Sequence, residues 1–225
     1  MEIIKSDIVF EYDIKGLEGI ESDFFPHNFA GAIIGKPGSG KTTLLRKLLL
    51  DDKLLKNKYN YILLMSPSLL EYPFIIEKRF VIDIYNIEWI YNAIAAINQQ
   101  RNKAYTNVLL IIDDFISEIK KNEFNQLQIK LFYTRRHVIN NGCLSILLTA
   151  QRYIAIPTSI RCCLSIIIFF KIPAVDILKI WKEHSLISKQ NFLMVACELD
   201  NNYKFMIMNI DSGKMYLEFH KVEFV

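Results

Sequence analysis

The chain has 225 residues, 52% of them hydrophobic, enough to bury one sizeable core and more in keeping with one large domain than two small ones. Its 27 basic and 24 acidic residues leave a net charge of +3, too small a surplus to mark a polyanion-binding tail, so charge alone is silent about nucleic acid. Four cysteines with no CxxC pair exclude a disulfide framework or zinc-ligand spacing and read as reduced core residues, and the most apolar segment, 162–170, is far shorter than the ~20 residues a membrane helix needs.

In chain order, the start lacks a basic stretch followed by an apolar run and a cleavage site, so no secretory signal is expected and an intracellular location is. Residues 1–28 form an N-terminal edge segment with a candidate strand at 8–14. Apolar runs bounded by turn residues then predict parallel strands at 30–34, 59–65, 80–84, 108–112, 144–149 and 164–170, several of them apolar at every position and so covered on both faces. Helical stripes alternate with them. Leu44, Leu45, Leu48 and Leu49 mark a helix over 41–50, and Ile90, Tyr91, Ile94 and Ile97 mark one over 87–98. A longer helix is predicted over 123–140, with Phe124, Leu127, Leu131 and Val138 inward, Arg135 and Arg136 on its other face, and Asn141-Gly142 as its stop. Beyond 171 come a helix at 174–184, an apolar run at 192–197 and two strands, 203–209 and 214–220, flanking Asp211-Ser212-Gly213 as a hairpin. With no repeat, linker or low-complexity tract, the reading is one α/β domain over 1–225, with its core at 29–171 and a C-terminal helix and strands at 172–225.

Gly35-Lys36-Pro37-Gly38-Ser39-Gly40-Lys41-Thr42 fits GxxxxGK[ST], in which each position has a separate task. The glycines let backbone N–H groups wrap phosphates, Lys41 reaches the terminal phosphates, and the Thr42 hydroxyl, followed by Thr43, coordinates magnesium. The loop follows a predicted strand and opens a leucine-striped helix, so the positive end of the helix dipole faces the anion. ATP and Mg²⁺ are the ligands this implies.

An NTPase also needs a carboxylate for the metal's water shell and a group to orient or deprotonate the attacking water. The strand ending Ile111-Ile112-Asp113-Asp114 supplies both, with Asp113 expected at the metal and Asp114 at the water, because neighbouring side chains on a strand diverge. A strand at 59–65 lies between the two motifs in sequence, which fits the P-loop ATPases having an additional strand between the P-loop strand and the acidic one. The strand ending Leu148-Thr149-Ala150 places Gln151 to sense the γ-phosphate or align water. Arg135, Arg136 and Arg161 are the arginines to weigh as stabilisers of transferring phosphoryl charge, the first two from a neighbouring subunit.

Taken together with Met65-Ser66-Pro67, Arg135-Arg136-His137, Leu148-Thr149-Ala150-Gln151 and 156–161, these segments resemble in order the poxvirus-type DNA-packaging ATPases of the FtsK/HerA superfamily. The likeness spans roughly 29–171, and the short chain looks most like the virophage type. It implies a P-loop NTPase fold of the additional-strand, RecA-like kind. It further implies a homo-oligomeric ring, often hexameric, that threads double-stranded DNA into a preformed capsid at a vertex or portal. The implied setting is the host cytoplasm and viral factory, or the virion itself. On this resemblance Gln151 matches the superfamily's sensor glutamine, and Arg136, with Arg135 as rival, matches the arginine donated between subunits. Many members carry glutamate where this chain has Asp114. Lys103, Lys120 and Lys121 are candidate DNA contacts. Two other readings compete: another oligomeric P-loop motor, acting in plasmid transfer or protein remodelling, and a slow nucleotide-dependent switch.

Overall fold

The computed structural model describes residues 24–51, 54–55, 57–69, 72, 81–100, 105–119, 122–185, 187–199 and 203–222, with the side chains of 118, 119 and 122–125 left aside. The candidate strand at 8–14 and the candidate lysines 103, 120 and 121 lie outside these residues, as does the side chain of Phe124.

Six parallel strands form most of a nine-stranded sheet: β1 (Ala30–Ile34), β2 (Tyr61–Met65), β3 (Val81–Ile82), β4 (Thr106–Ile112), β5 (Gly142–Ala150) and β6 (Ile166–Phe169). Three antiparallel strands, β7 (Met206–Asn209), β8 (Lys214–Leu217) and β9 (His220–Lys221), extend it beyond β6. The order across the sheet is β3-β2-β4-β5-β1-β6-β7-β8-β9. The α/β architecture and the C-terminal hairpin expected from periodicity are therefore present. Of the expected strand at 80–84, the described residues are in a strand only at Val81–Ile82.

The central strands are mostly apolar because both faces are covered. On β1, Ala30, Ala32 and Ile34 join one core while Ile33 joins the other, and on β4 Val108, Leu110 and Ile112 separate likewise from Leu109 and Ile111. Helix α1 (Lys41–Leu50) buries Leu44, Leu45, Leu48 and Leu49 on one face, and α2 (Ile87–Gln99) buries Ile87, Ile90, Ile94 and Ile97 on the other. The Asn86 side chain caps α2 by accepting from the Trp89 N–H, filling one of the orphan donors of the first turn.

The additional strand differs from the one expected. β5 pairs with both β1 and β4, so the strand between the P-loop strand and the acidic strand comes after both in sequence; β2 lies outside β4.

Two short helices precede β5, α3 (Ile116–Ile119) and α4 (Asn122–Thr134). α4 stops six residues before the expected 140, and Arg135 and Arg136 lie in the turn beyond it. The chain reverses there because the Arg135 carbonyl accepts from Leu144 N–H at the start of β5, while the Thr134 hydroxyl donates back to the Lys130 carbonyl. On α4 it is Gln128, Leu131 and Phe132 that are buried; Leu127 is exposed and, past the helix, Val138 is half-buried. Gly142 does not end the helix but opens β5, and a Cβ there would meet the Thr106 carbonyl oxygen at 1.8 Å.

α5 (Thr158–Arg161), α6 (Ala174–His184) and α7 (Lys189–Cys197) complete the helices. The apolar run 192–197 belongs to α7, which is started by the Ser188 hydroxyl accepting from Asn191 N–H. All four cysteines are free thiols, but only Cys143 is buried; Cys162 and Cys197 are exposed, which corrects the expectation of a core role, since both sit where their helices end. No helix among the described residues is long and apolar enough to cross a membrane.

Candidate nucleotide site

Parallel strands put their carboxyl ends on one edge of a sheet, and ligands of such folds bind there. Here that edge gathers Gly35 after β1, Ser66 after β2, Asp113 and Asp114 after β4, and Gln151 after β5.

The loop 35–40 is shaped by its glycines. Gly38 has φ 74° and Gly40 φ 98°, left-handed values that side chains resist. A Cβ on Gly35 would approach the buried Ser39 hydroxyl to 2.3 Å. Gly35 N–H donates to the Ala150 carbonyl at 3.0 Å, which ties the loop to the residue preceding Gln151. Lys41 sends its ammonium back over the loop, donating to the carbonyls of Gly35 at 2.7 Å and Lys36 at 3.2 Å. An ammonium has three protons, so one remains for a ligand oxygen. Burial lowers the Lys41 pKa, an effect opposed by the charges of Asp114 and Asp113, so both carboxylates act on this lysine.

Asp113 is almost fully buried and held by three hydroxyls. Thr149 donates to its Oδ1 at 2.8 Å, and Ser66 and Tyr72 each donate to Oδ2 at 2.9 Å. The Thr149 oxygen also accepts from Asp114 N–H at 2.9 Å. Asp114 is exposed and has φ 56°, a left-handed backbone costing roughly 1–2 kcal/mol for a residue with a Cβ. A single hydroxyl on β5 therefore fixes both members of the acidic pair, two residues before the exposed Gln151. Ser66 and Thr149 were visible at strand ends in the sequence without a role attached to them. Tyr72, arriving from the segment after β2, carried no signal.

The arginines separate from this group. Arg135 donates through Nε to the Asn28 carbonyl at 2.9 Å and through Nη1 to the Phe132 carbonyl at 2.8 Å, so it locks the turn after α4 to the entry of β1. It sits by the amino end of β5, while Gln151 follows the carboxyl end; Leu144 to Ala150 at ~3.3 Å per residue places them about 20 Å apart. Arg136 is beside it, exposed, with no hydrogen bond or ion pair among the described residues. Arg161 is buried: its Nε lies 3.1 Å from Glu183 Oε2, its Nη2 donates to Thr158 Oγ1 and Glu183 Oε1, and its guanidinium lies over the Tyr153 ring. Tyr153 donates to the same Glu183 at 2.6 Å, which joins α5 and α6 to the turn at Tyr153–Ala155.

The loop and the acidic pair fit a magnesium-nucleotide: left-handed glycines open the loop onto a helix start, the Ser39 hydroxyl is buried with no hydrogen-bond partner among the described residues, and the charges of both carboxylates act on Lys41. Fold and site together define a P-loop NTPase of the additional-strand type. A family model described as poxvirus A32 protein matches residues 21–212, and the chain belongs to that family. The resemblance drawn from the motifs is thereby supported over a longer stretch than 29–171. Comparison with curated proteins gives no match. Among solved structures, the chain is similar to the genome-packaging NTPase B204 of Sulfolobus turreted icosahedral virus 2 bound to ATP-gammaS, at 17% identity and TM-score 0.61, covering 86% of this chain and 98% of that one. It is similar too to B204, the DNA-packaging ATPase of Sulfolobus turreted icosahedral virus, at 17% identity and TM-score 0.59 over 88% and 98%. The cytoplasmic domain of the type VII secretion ATPase EccC of Thermomonospora curvata shares the fold at 15% identity and TM-score 0.56, covering 91% of this chain and 26% of that one.

Proposed function

We propose that the protein is the ATP-hydrolysing motor that drives double-stranded DNA into a viral capsid, acting as a homo-oligomeric ring. The observation that carries the reading is the placement of the P-loop, Asp113-Asp114 and Gln151 on one sheet edge, with β5 between, in a chain of the poxvirus A32 family.

Lys41 and N–H groups of the loop and the start of α1 would hold the phosphates, and Thr42 with Asp113 would hold Mg²⁺. The metal, when bound, neutralises charge on the phosphate oxygens. Asp113 keeps its position through its three hydroxyl donors. Asp114 orients the attacking water and accepts its proton, Gln151 aligns that water through its amide, and Thr149 keeps Asp114 in place. Arg136 lies too far from its own P-loop to touch it, so it serves the site of the next subunit. In a ring, modest positive charge repeated around one channel accumulates, so a net charge of +3 per chain is compatible with contact to the phosphate backbone.

ATP hydrolysis by the purified protein, with and without long linear duplex DNA and across protein concentration, tests this. Stimulation by DNA of any sequence, with a steep concentration dependence and none in Lys41→Ala, is expected. A rate indifferent to DNA and linear in protein would overturn the packaging motor; stimulation by a protein substrate instead would favour the secretion-type motor whose fold it shares.

A further inference from the structure

Beside the P-loop, on the flank away from the acidic pair, lies a cavity of about 200 Å³ lined by Gly40, Thr43, Leu44 and Lys47 of the loop and α1 and by Phe170, Tyr203 and Phe205. We infer that this cavity holds the nucleobase, with the Tyr203 ring stacking on its face; the inference rests on the nucleotide reading above.

The sheet order sets the direction. From β1, the strands β5 and β4 run one way and carry Gln151, Asp113 and Asp114, the groups suited to the terminal phosphate. β6 and β7 run the other way and carry Phe170 at the end of β6 and Tyr203 and Phe205 at the entrance to β7. A triphosphate lying across the start of α1 with its last phosphate toward Asp113 leaves its other end at these aromatics.

The cavity suits a flat apolar ring. A closed apolar cavity of about 150 Å³ accepts benzene, so 200 Å³ with an open mouth has room for a base. Phe170 and Phe205 are buried and pack 5.6 Å apart between ring centroids, which makes them a fixed wall. Tyr203 is 73% exposed, and a Cβ built on Gly40 would lie 3.4 Å from its ring. Tyr203 thus stands at the mouth, directly against the last glycine of the phosphate loop. The Lys47 ammonium is drawn over the Phe219 ring, 4.7 Å from its centroid, which leaves its methylenes along the cavity. The segment leading into β7 consequently supplies two of the cavity's seven lining residues, Tyr203 and Phe205.

Calorimetric titration of the full chain with Mg-ATP and with inorganic triphosphate, which has phosphates but no base, separates the two ends. Tyr203→Ala is expected to weaken ATP binding roughly tenfold, as removal of a base-stacking ring does, and to leave triphosphate unchanged; Tyr203→Phe should bind ATP like the unaltered protein. Equal ATP affinity in Tyr203→Ala, or equal loss for both ligands, would overturn the assignment. Failure of the unaltered protein to bind either ligand would instead overturn the P-loop reading itself.

Discussion

The two edges of the sheet hold their polar residues by different means. At the carboxyl edge, the Thr149 hydroxyl donates to the Asp113 carboxylate and accepts from the Asp114 main-chain N–H, joining the ends of adjacent strands. At the amino edge, Arg135 is bound to main-chain carbonyls of a turn and a strand entry, and Arg136 beside it is exposed. On the proposed function, chemistry belongs to the first edge and packing to the second, with Arg136 reaching the first edge of a neighbouring copy.

Asp114→Asn should break the contrast most severely, lowering kcat by about 100-fold or more at unchanged nucleotide affinity, since it removes the proton acceptor from the carboxyl edge. Single-turnover kinetics with a parallel binding titration would check it, and a kcat within a few-fold of the unaltered protein would take Asp114 out of the mechanism. Thr149→Val keeps shape but loses the hydroxyl, so kcat should fall about tenfold with ATP affinity retained, and Thr149→Ser should restore it. An equal loss of affinity and rate, or no rescue by serine, would make Thr149 a packing residue only. The smallest effects come from the amino edge. Arg135→Ala should cost about 1–2 kcal/mol in denaturant unfolding through its lost hydrogen bonds, whereas Arg136→Ala should leave stability alone and reduce hydrolysis only in the assembled protein. Reversal of that pair would exchange their roles.

The central strands were legible because burial on both faces leaves long apolar runs, unbroken in 108–112 and interrupted in 144–149 only by Ser145 and Thr149. Their order was not. Sequence places 59–65 between the P-loop and acidic motifs, but the strand that separates them in space is β5, because lateral position in a parallel sheet is set by crossovers and not by succession. The end of α4 was missed for a related reason: nothing between 135 and 141 forbids a helix, and the reversal is held by Arg135, whose carbonyl accepts from Leu144 N–H and whose side chain reaches Asn28, over a hundred residues away. The P-loop and acidic residues could be read in the sequence because their chemistry demands particular residue types at fixed spacing. The hydroxyls gripping Asp113 and the aromatics by Gly40 could not, since serine, tyrosine and phenylalanine occur for many reasons and only folding brings these together.

The left-handed backbone at 114 also restricts which side chains evolution can try there. Aspartate and asparagine enter that conformation far more readily than most residues, their short polar groups bonding locally. In this chain the turn at 114 suits the shorter acid. The same tolerance makes asparagine a substitution that alters charge while keeping the turn, so position 114 is one where chemistry and architecture can be varied independently.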